Sequence, residues 1–198
     1  MKQDHSIDQR LVKKVLEGNS NAFKTIILNT QGLVIQIIYK MVRSSEDRED
    51  LAQEVYLKVF NNLAGFKFNS KLSTWIGTIT YNTCLNFLEK KKIPILNVID
   101  KEGNESWDII DSTIIDNASN QTESYIFKKE SSQVLAQEIE KLPPLYKTII
   151  TLYHNEELSY KEIGKITNLP EGTLKSYLYR ARKQLKENLL LNYKREDL

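Results

Sequence analysis

Between Ser159 and Arg182 the chain has few ways to fold. Ser159 and Glu162 form a capping box, so a short helix starts there and carries Ile163 and Ile166 on one side. Asn168-Leu169-Pro170 ends it. Beyond the break Leu174, Leu178, Ala181 and Leu185 recur at i, i+4, i+7 and i+11, giving a second helix one apolar stripe to bury against the first. The spacing predicts a helix-turn-helix. The free side of its second helix is basic: Lys175, Tyr179, Arg182 and Lys186 form one row, and Ser176, Arg180 and Lys183 the next. Such a face joins cations that neutralise phosphate to groups that reach base edges, which points to DNA. A solvated helix surface also carries Lys and Arg, but needs neither the cap nor the three-residue turn.

The rest of the composition narrows the choices by exclusion. With 198 residues there is material for one ordinary domain or two small ones. Cys84 is the one cysteine, and His5 and His154 are the two histidines, so neither a disulfide nor a Cys/His zinc site can be assembled. There is no P-loop, no Gly-rich nucleotide turn and no Ser/His/Asp set. No catalytic residue, metal or cofactor is therefore expected. No apolar run approaches the roughly 20 residues of a membrane span and Met1 to Ser6 opens no signal-peptide pattern, so a cytoplasmic protein without membrane insertion is expected.

Helical periodicity runs through most of the chain, with no strand pattern and no repeat. A capping box at Ser6-Ile7-Asp8-Gln9 predicts a first helix to about Leu16, broken by Gly18-Asn19-Ser20-Asn21. Phe23, Ile26, Ile27, Val34, Ile37, Ile38 and Met41 give a second, wide enough to be the central wall of a bundle. A third, about Glu46 to Leu63, buries Leu51, Val55, Val59 and Leu63 and leaves Asp50, Gln53, Glu54 and Leu57 on another face. After a loop with Gly65, Phe66 and Phe68, a fourth runs from about Ser73 to Lys92. From Asn97 to Glu123 the charged residues are seven acids and one base without sustained periodicity, which reads as a linker. The expected architecture is all-α: two small helical domains, residues 1–93 and 124–198, joined by a flexible acidic linker, 94–123, with the helix-turn-helix ending the second.

With both halves in view, the chain resembles the sigma-70 family of bacterial RNA polymerase sigma factors, and within it the short extracytoplasmic-function (ECF) group. Asp50-Leu51-Ala52-Gln53-Glu54-Val55 looks like the family's polymerase-binding helix. Thr74-Trp75-Ile76, followed by Ile79 and Asn82, looks like its promoter-melting and minus-ten segment. Leu169-Pro170-Glu171-Gly172-Thr173-Leu174-Lys175-Ser176 looks like its minus-35 reader. The sequence departs from the pattern in places: Gly164 stands where Ala is usual, Tyr177 where Arg is common, Asn86 where Asp is frequent, and Glu89 where a basic residue is frequent.

The resemblance implies a transcription initiation factor without catalytic groups, whose partners are core RNA polymerase, through the clamp helices of its largest subunit and its flap, promoter DNA, and an anti-sigma factor. It assigns Asp50, Gln53, Glu54 and Leu57 to the clamp. It assigns Phe68, Lys71, Ser73, Thr74, Trp75, Asn82, Asn86, Lys90 and Lys91 to minus-ten DNA, with Phe66 in the loop that receives a flipped base. Trp75 stays open between the core and the DNA side. Thr173, Lys175, Ser176, Tyr179, Arg180, Arg182 and Lys183 fall to minus-35 DNA. A two-domain helix-turn-helix regulator that acts without polymerase is the alternative, and binding to core polymerase separates the two.

Overall fold

A computed structural model describes residues 2–95 and 133–192, all in helices and their connections, with no strand among them. Most of the acidic segment, the proposed start of the second domain near residue 124 and the chain end lie outside the described residues. The first half holds α1 (Lys2–Leu16), α2 (Ser20–Met41), α3 (Ser45–Asn62), a 3-10 turn (Leu63–Gly65) and α4 (Leu72–Lys90). The second holds α5 (133–141), α6 (Pro144–His154), α7 (Tyr160–Thr167) and α8 (Glu171–Asn192).

Local chemistry sets most of these ends. Asn19 caps α2 by accepting from the Ala22 N–H, and Ser44 caps α3 by accepting from Asp47. Pro144 opens α6, where its missing N–H costs nothing. The exception is α1. It begins at Lys2, so Ser6 lies inside the helix and not at its N-cap. Asp8, which lies between the two residues of the expected box, reaches across the fold and accepts from the Leu72 N–H at 2.8 Å. It thereby satisfies one of the orphan donors at the start of α4, whose own N-cap, Lys71, supplies no side-chain bond. Asp8→Ala is expected to cost about 1 kcal/mol of stability, and Asp8→Asn, which still accepts, clearly less. Denaturant unfolding of the two variants measures the difference.

The two halves are in contact. Ile26, Val34, Ile37, Val55, Val59, Ile76 and Cys84 form the buried centre of the first, Ile149, Leu152, Ile163, Ile166, Leu174 and Leu178 that of the second, and α4 packs on α7 as α2 does on α6. Gly77 shows why α7 comes so near. A Cβ there would stand 3.0 Å from Ile166 Cδ1 and 3.4 Å from Leu33 Cδ2. A mid-helix glycine costs α4 about 1 kcal/mol relative to alanine, and this close approach is what it permits. Polar contacts surround it: Thr78 Oγ1 donates to the Lys165 carbonyl at 3.3 Å, Lys165 Nζ to the Asn69 carbonyl at 2.8 Å, and Lys71 pairs with Glu162 at 3.0 Å. Glu140 lies between Lys40 and Lys147, the latter at 3.2 Å.

Candidate nucleic-acid interface

α4 is the element most divided by its surroundings. Leu72, Ile76, Thr80, Thr83 and Cys84 are buried, while Gly77 and Tyr81 are buried toward the second half. Burial, with the Cys84 thiol and the Tyr177 phenol nearby, pushes the Tyr81 hydroxyl up to about 12. Asn82 and Asn86 are exposed, and Trp75 is partly buried. Trp75, Asn82 and Asn86 stand at i, i+7 and i+11, hence on one face. The Trp75 ring packs on the buried Phe66 at 5.0 Å and keeps part of its surface open.

The loop before α4 carries the aromatics beside this face. Phe66 and Phe68 have ring centroids 4.6 Å apart, so Phe68, Phe66 and Trp75 form one cluster. Phe68 sits at φ 56, a left-handed conformation that a bulky side chain rarely adopts. Ser73 is partly buried at the first turn of α4, lining a cleft with Asp8, Asn29 and Lys71.

Three residues expected at minus-ten DNA are otherwise engaged. Thr74 is only 2% exposed, so DNA cannot touch it in this arrangement. Lys71 is held by Glu162 of α7. That pairing, with hydrogen bonds from Ser159, keeps the Glu162 carboxyl below its ordinary range although its burial acts the other way. Lys91 is bound to Asp47 at 2.8 Å and lies over the Phe87 ring, while Lys90 is exposed.

On α3, Asp50, Gln53, Glu54 and Leu57 are all exposed, Leu57 by 64%. Glu54 pairs with Lys58 one turn on at 2.7 Å. Phe60 extends the apolar part of this surface, 54% exposed and edge-on to Phe23 at 5.1 Å. The sequence reading omitted it, although i+3 from Leu57 is the spacing that places it there.

The helix-turn-helix forms as its sequence predicts. Both arms of the capping box are present, Ser159 accepting from the Glu162 N–H and Glu162 from the Ser159 N–H. Asn168, at φ 56, ends α7 in the left-handed region, and its N–H and that of Leu169 both meet the Gly164 carbonyl. The glycine itself is accounted for here: a Cβ at 164 would lie 3.0 Å from the Leu169 carbonyl oxygen. Leu174, Leu178 and Ala181 are buried, Leu185 partly. Lys175, Tyr179, Arg182 and Lys183 are exposed, and Thr173, Ser176 and Arg180 half-buried. Tyr177, where an arginine is common, is half-buried 5.8 Å from the Tyr146 ring and near Tyr81 of the first half.

These features have clear relatives. Residues 26–93 match the family model of sigma-70 region 2, and residues 132–185 that of sigma-70, region 4. The ECF RNA polymerase sigma factor SigW of Bacillus subtilis is 32% identical over 181 residues, 91% of this chain and 96% of that protein. The ECF RNA polymerase sigma-E factor of Escherichia coli is 31% identical over 182 residues, 90% of this chain and 92% of that protein. Among solved structures, CnrH in complex with the cytosolic domain of CnrY superposes with a TM-score of 0.64 at 16% identity, over 94% of this chain and 99% of that one. RpoE of Bartonella quintana, solved with the anti-sigma factor NepR, gives 0.58 at 23% identity over 86% and 98%. The structural likenesses establish the fold.

Proposed function

The chain belongs to the ECF group of the sigma-70 family and serves to direct RNA polymerase to promoters, and from that premise we propose which surface does each part of the work. Asp50, Gln53, Glu54 and Leu57 meet the clamp helices of the largest polymerase subunit. Two carboxylates and an amide accept from Arg side chains, and Leu57 adds apolar contact. The residues of α8 read minus-35 DNA, and the second half also meets the flap. The work is binding throughout, without catalysis and without a cofactor, and it takes place in the cytoplasm. No described helix is long and apolar enough to cross a membrane. An anti-sigma factor, of the kind named for the Bartonella quintana structure, is a further proposed partner.

The minus-ten assignment is carried by one observation: α4 buries two of its sides and leaves Asn82 and Asn86 exposed beside the Phe66, Phe68 and Trp75 rings. A base leaving the stack needs an aromatic or apolar surface to lie on and polar groups for its edge, and this face offers both. Lys71 joins it once α7 has moved away. Replacing Asn82 and Asn86 together by alanine is expected to leave polymerase binding intact and to reduce promoter opening about tenfold or more, since each base-edge contact is worth about 1 to 3 kcal/mol. Permanganate reactivity of unpaired thymines reads this, and a normal open complex in the double variant would overturn the assignment.

A further inference from the structure

Tyr153 at the end of α6 and Tyr160 at the start of α7 stack, with ring centroids 5.0 Å apart and planes at 24°. Neither belongs to the surfaces assigned above. Over each ring stands one cation of α8: Lys175 Nζ lies 5.5 Å from the Tyr160 centroid, and the Arg182 guanidinium 5.3 Å from that of Tyr153. Both distances fall within the range in which a ring face attracts a cation. Lys175 and Arg182 are seven residues apart, two turns along the same row of α8. Arg182 has a second anchor, since its Nη2 donates to His154 Nε2 at 3.2 Å, and the His154 ring meets that of Tyr153 edge-on at 4.9 Å. Partial burial and the Arg182 charge both keep the imidazole below its ordinary range, so the neutral ring is the acceptor at pH 7. Lys175 is likewise anchored by Glu171 at 2.8 Å.

Long cationic side chains lose rotamer freedom when they meet DNA, and that loss weakens binding unless it has been met beforehand. Here the two cations are already confined, on rings set by the ends of two helices other than their own. We propose that Tyr153 and Tyr160 are positioning residues for minus-35 recognition, holding Arg182 and Lys175 in the directions from which they meet the DNA, with His154 as a side support for Arg182. This rests on the reading of α8 as the minus-35 helix. Rings that only filled space would matter through their volume, and their effect on DNA would not depend on the cations above them.

A double-variant cycle on holoenzyme, reconstituted from the full chain and core polymerase and bound to minus-35-containing promoter DNA, separates the two roles. Tyr153→Leu is expected to weaken promoter binding about three- to fivefold, the range for one exposed ring-cation contact. Tyr153→Phe, which keeps the ring face, should stay close to the parent. In an Arg182→Ala background Tyr153→Leu should have no further effect. The same pattern is expected for Tyr160→Leu with Lys175→Ala, which keeps the test alive if Tyr153→Leu does not fold. Equal losses for Phe and Leu, or an undiminished Leu effect after the cation is removed, would overturn the positioning role while leaving α8 as the reader. Unchanged binding by Arg182→Ala and Lys175→Ala themselves would overturn the reading of α8, and the proposal with it.

Discussion

Asp50→Arg combined with Glu54→Lys is expected to abolish binding to core RNA polymerase while leaving the fold intact. Both carboxylates lie on the exposed face of α3, opposite the buried Leu51, Val55 and Val59, so their replacement disturbs no packing. Among the described residues the ion pair of Glu54 with Lys58 is broken, a surface pair one helical turn apart and worth about 0.3 to 0.5 kcal/mol. Against the partner the balance is different. Truncating one member of a desolvated interfacial ion pair costs about 2 to 5 kcal/mol, and reversal adds repulsion between like charges. Two reversals should therefore lower affinity on the order of a thousandfold or more. Titration of labelled core polymerase measures the affinity, and thermal unfolding of the free chain supplies the control. Normal polymerase binding by the double reversal would remove this face from the account.

Forming the promoter complex is expected to drive the two halves of the chain apart by some tens of Å. As described, α4 and α7 are in contact, and packed helices have axes about 8 to 10 Å apart. Elements nearly two DNA turns apart are separated by something on the order of 60 Å. The contact of α4 with α7 and simultaneous occupancy of both elements exclude each other. The segment 96–132, fully extended, covers more than about 100 Å, so the chain has the reach. The closed contact can yield. Its surface ion pairs are worth about 0 to 1 kcal/mol each, and the burial of Ile166, which lies against Gly77, at most about 1.5 to 3 kcal/mol. Fluorophores on Asn61→Cys and Asn192→Cys follow the opening, because Cys84 is buried and burial, with Glu54 nearby, pushes its thiol up to about 12. Energy transfer should be high in the free chain and low with polymerase and promoter. Gly77→Phe, which drives a ring into Ile166, should lower it in the free chain alone. Transfer unchanged by polymerase and DNA would contradict the opening.

What the sequence disclosed, and what it hid, follows the range of the interactions. The capping box at Ser159 and Glu162 and the stripe of Leu174, Leu178 and Ala181 are written within a few residues of where they act, and each forms as read. The family motifs disclosed the functional class in the same way. The Ser6 to Gln9 signal failed because α1 begins four residues upstream, at Lys2, which puts Ser6 in the helix interior. The docking of α7 on α4 joins residues some 90 positions apart, and no periodicity records such a pairing. One trace was nonetheless present as a departure from the family pattern: Tyr177, in place of a cation, lies near Tyr81 of the other half, whereas Gly164 in place of alanine makes room for a turn within its own half. Local position alone places Thr74 and Lys71 at DNA, and the burial of Thr74 and the pairing of Lys71 with Glu162 of the second half become visible only in three dimensions.

The central claim is that this chain gives polymerase its choice of promoter. Run-off transcription from fragmented DNA of its own organism, with core polymerase alone and with the chain added, tests it on every promoter at once. The account predicts discrete new transcripts whose start sites share two upstream sequence elements, and which disappear with Asp50→Arg and Glu54→Lys. The same transcripts with and without the chain, from a protein that binds the DNA yet leaves polymerase unchanged, would contradict it.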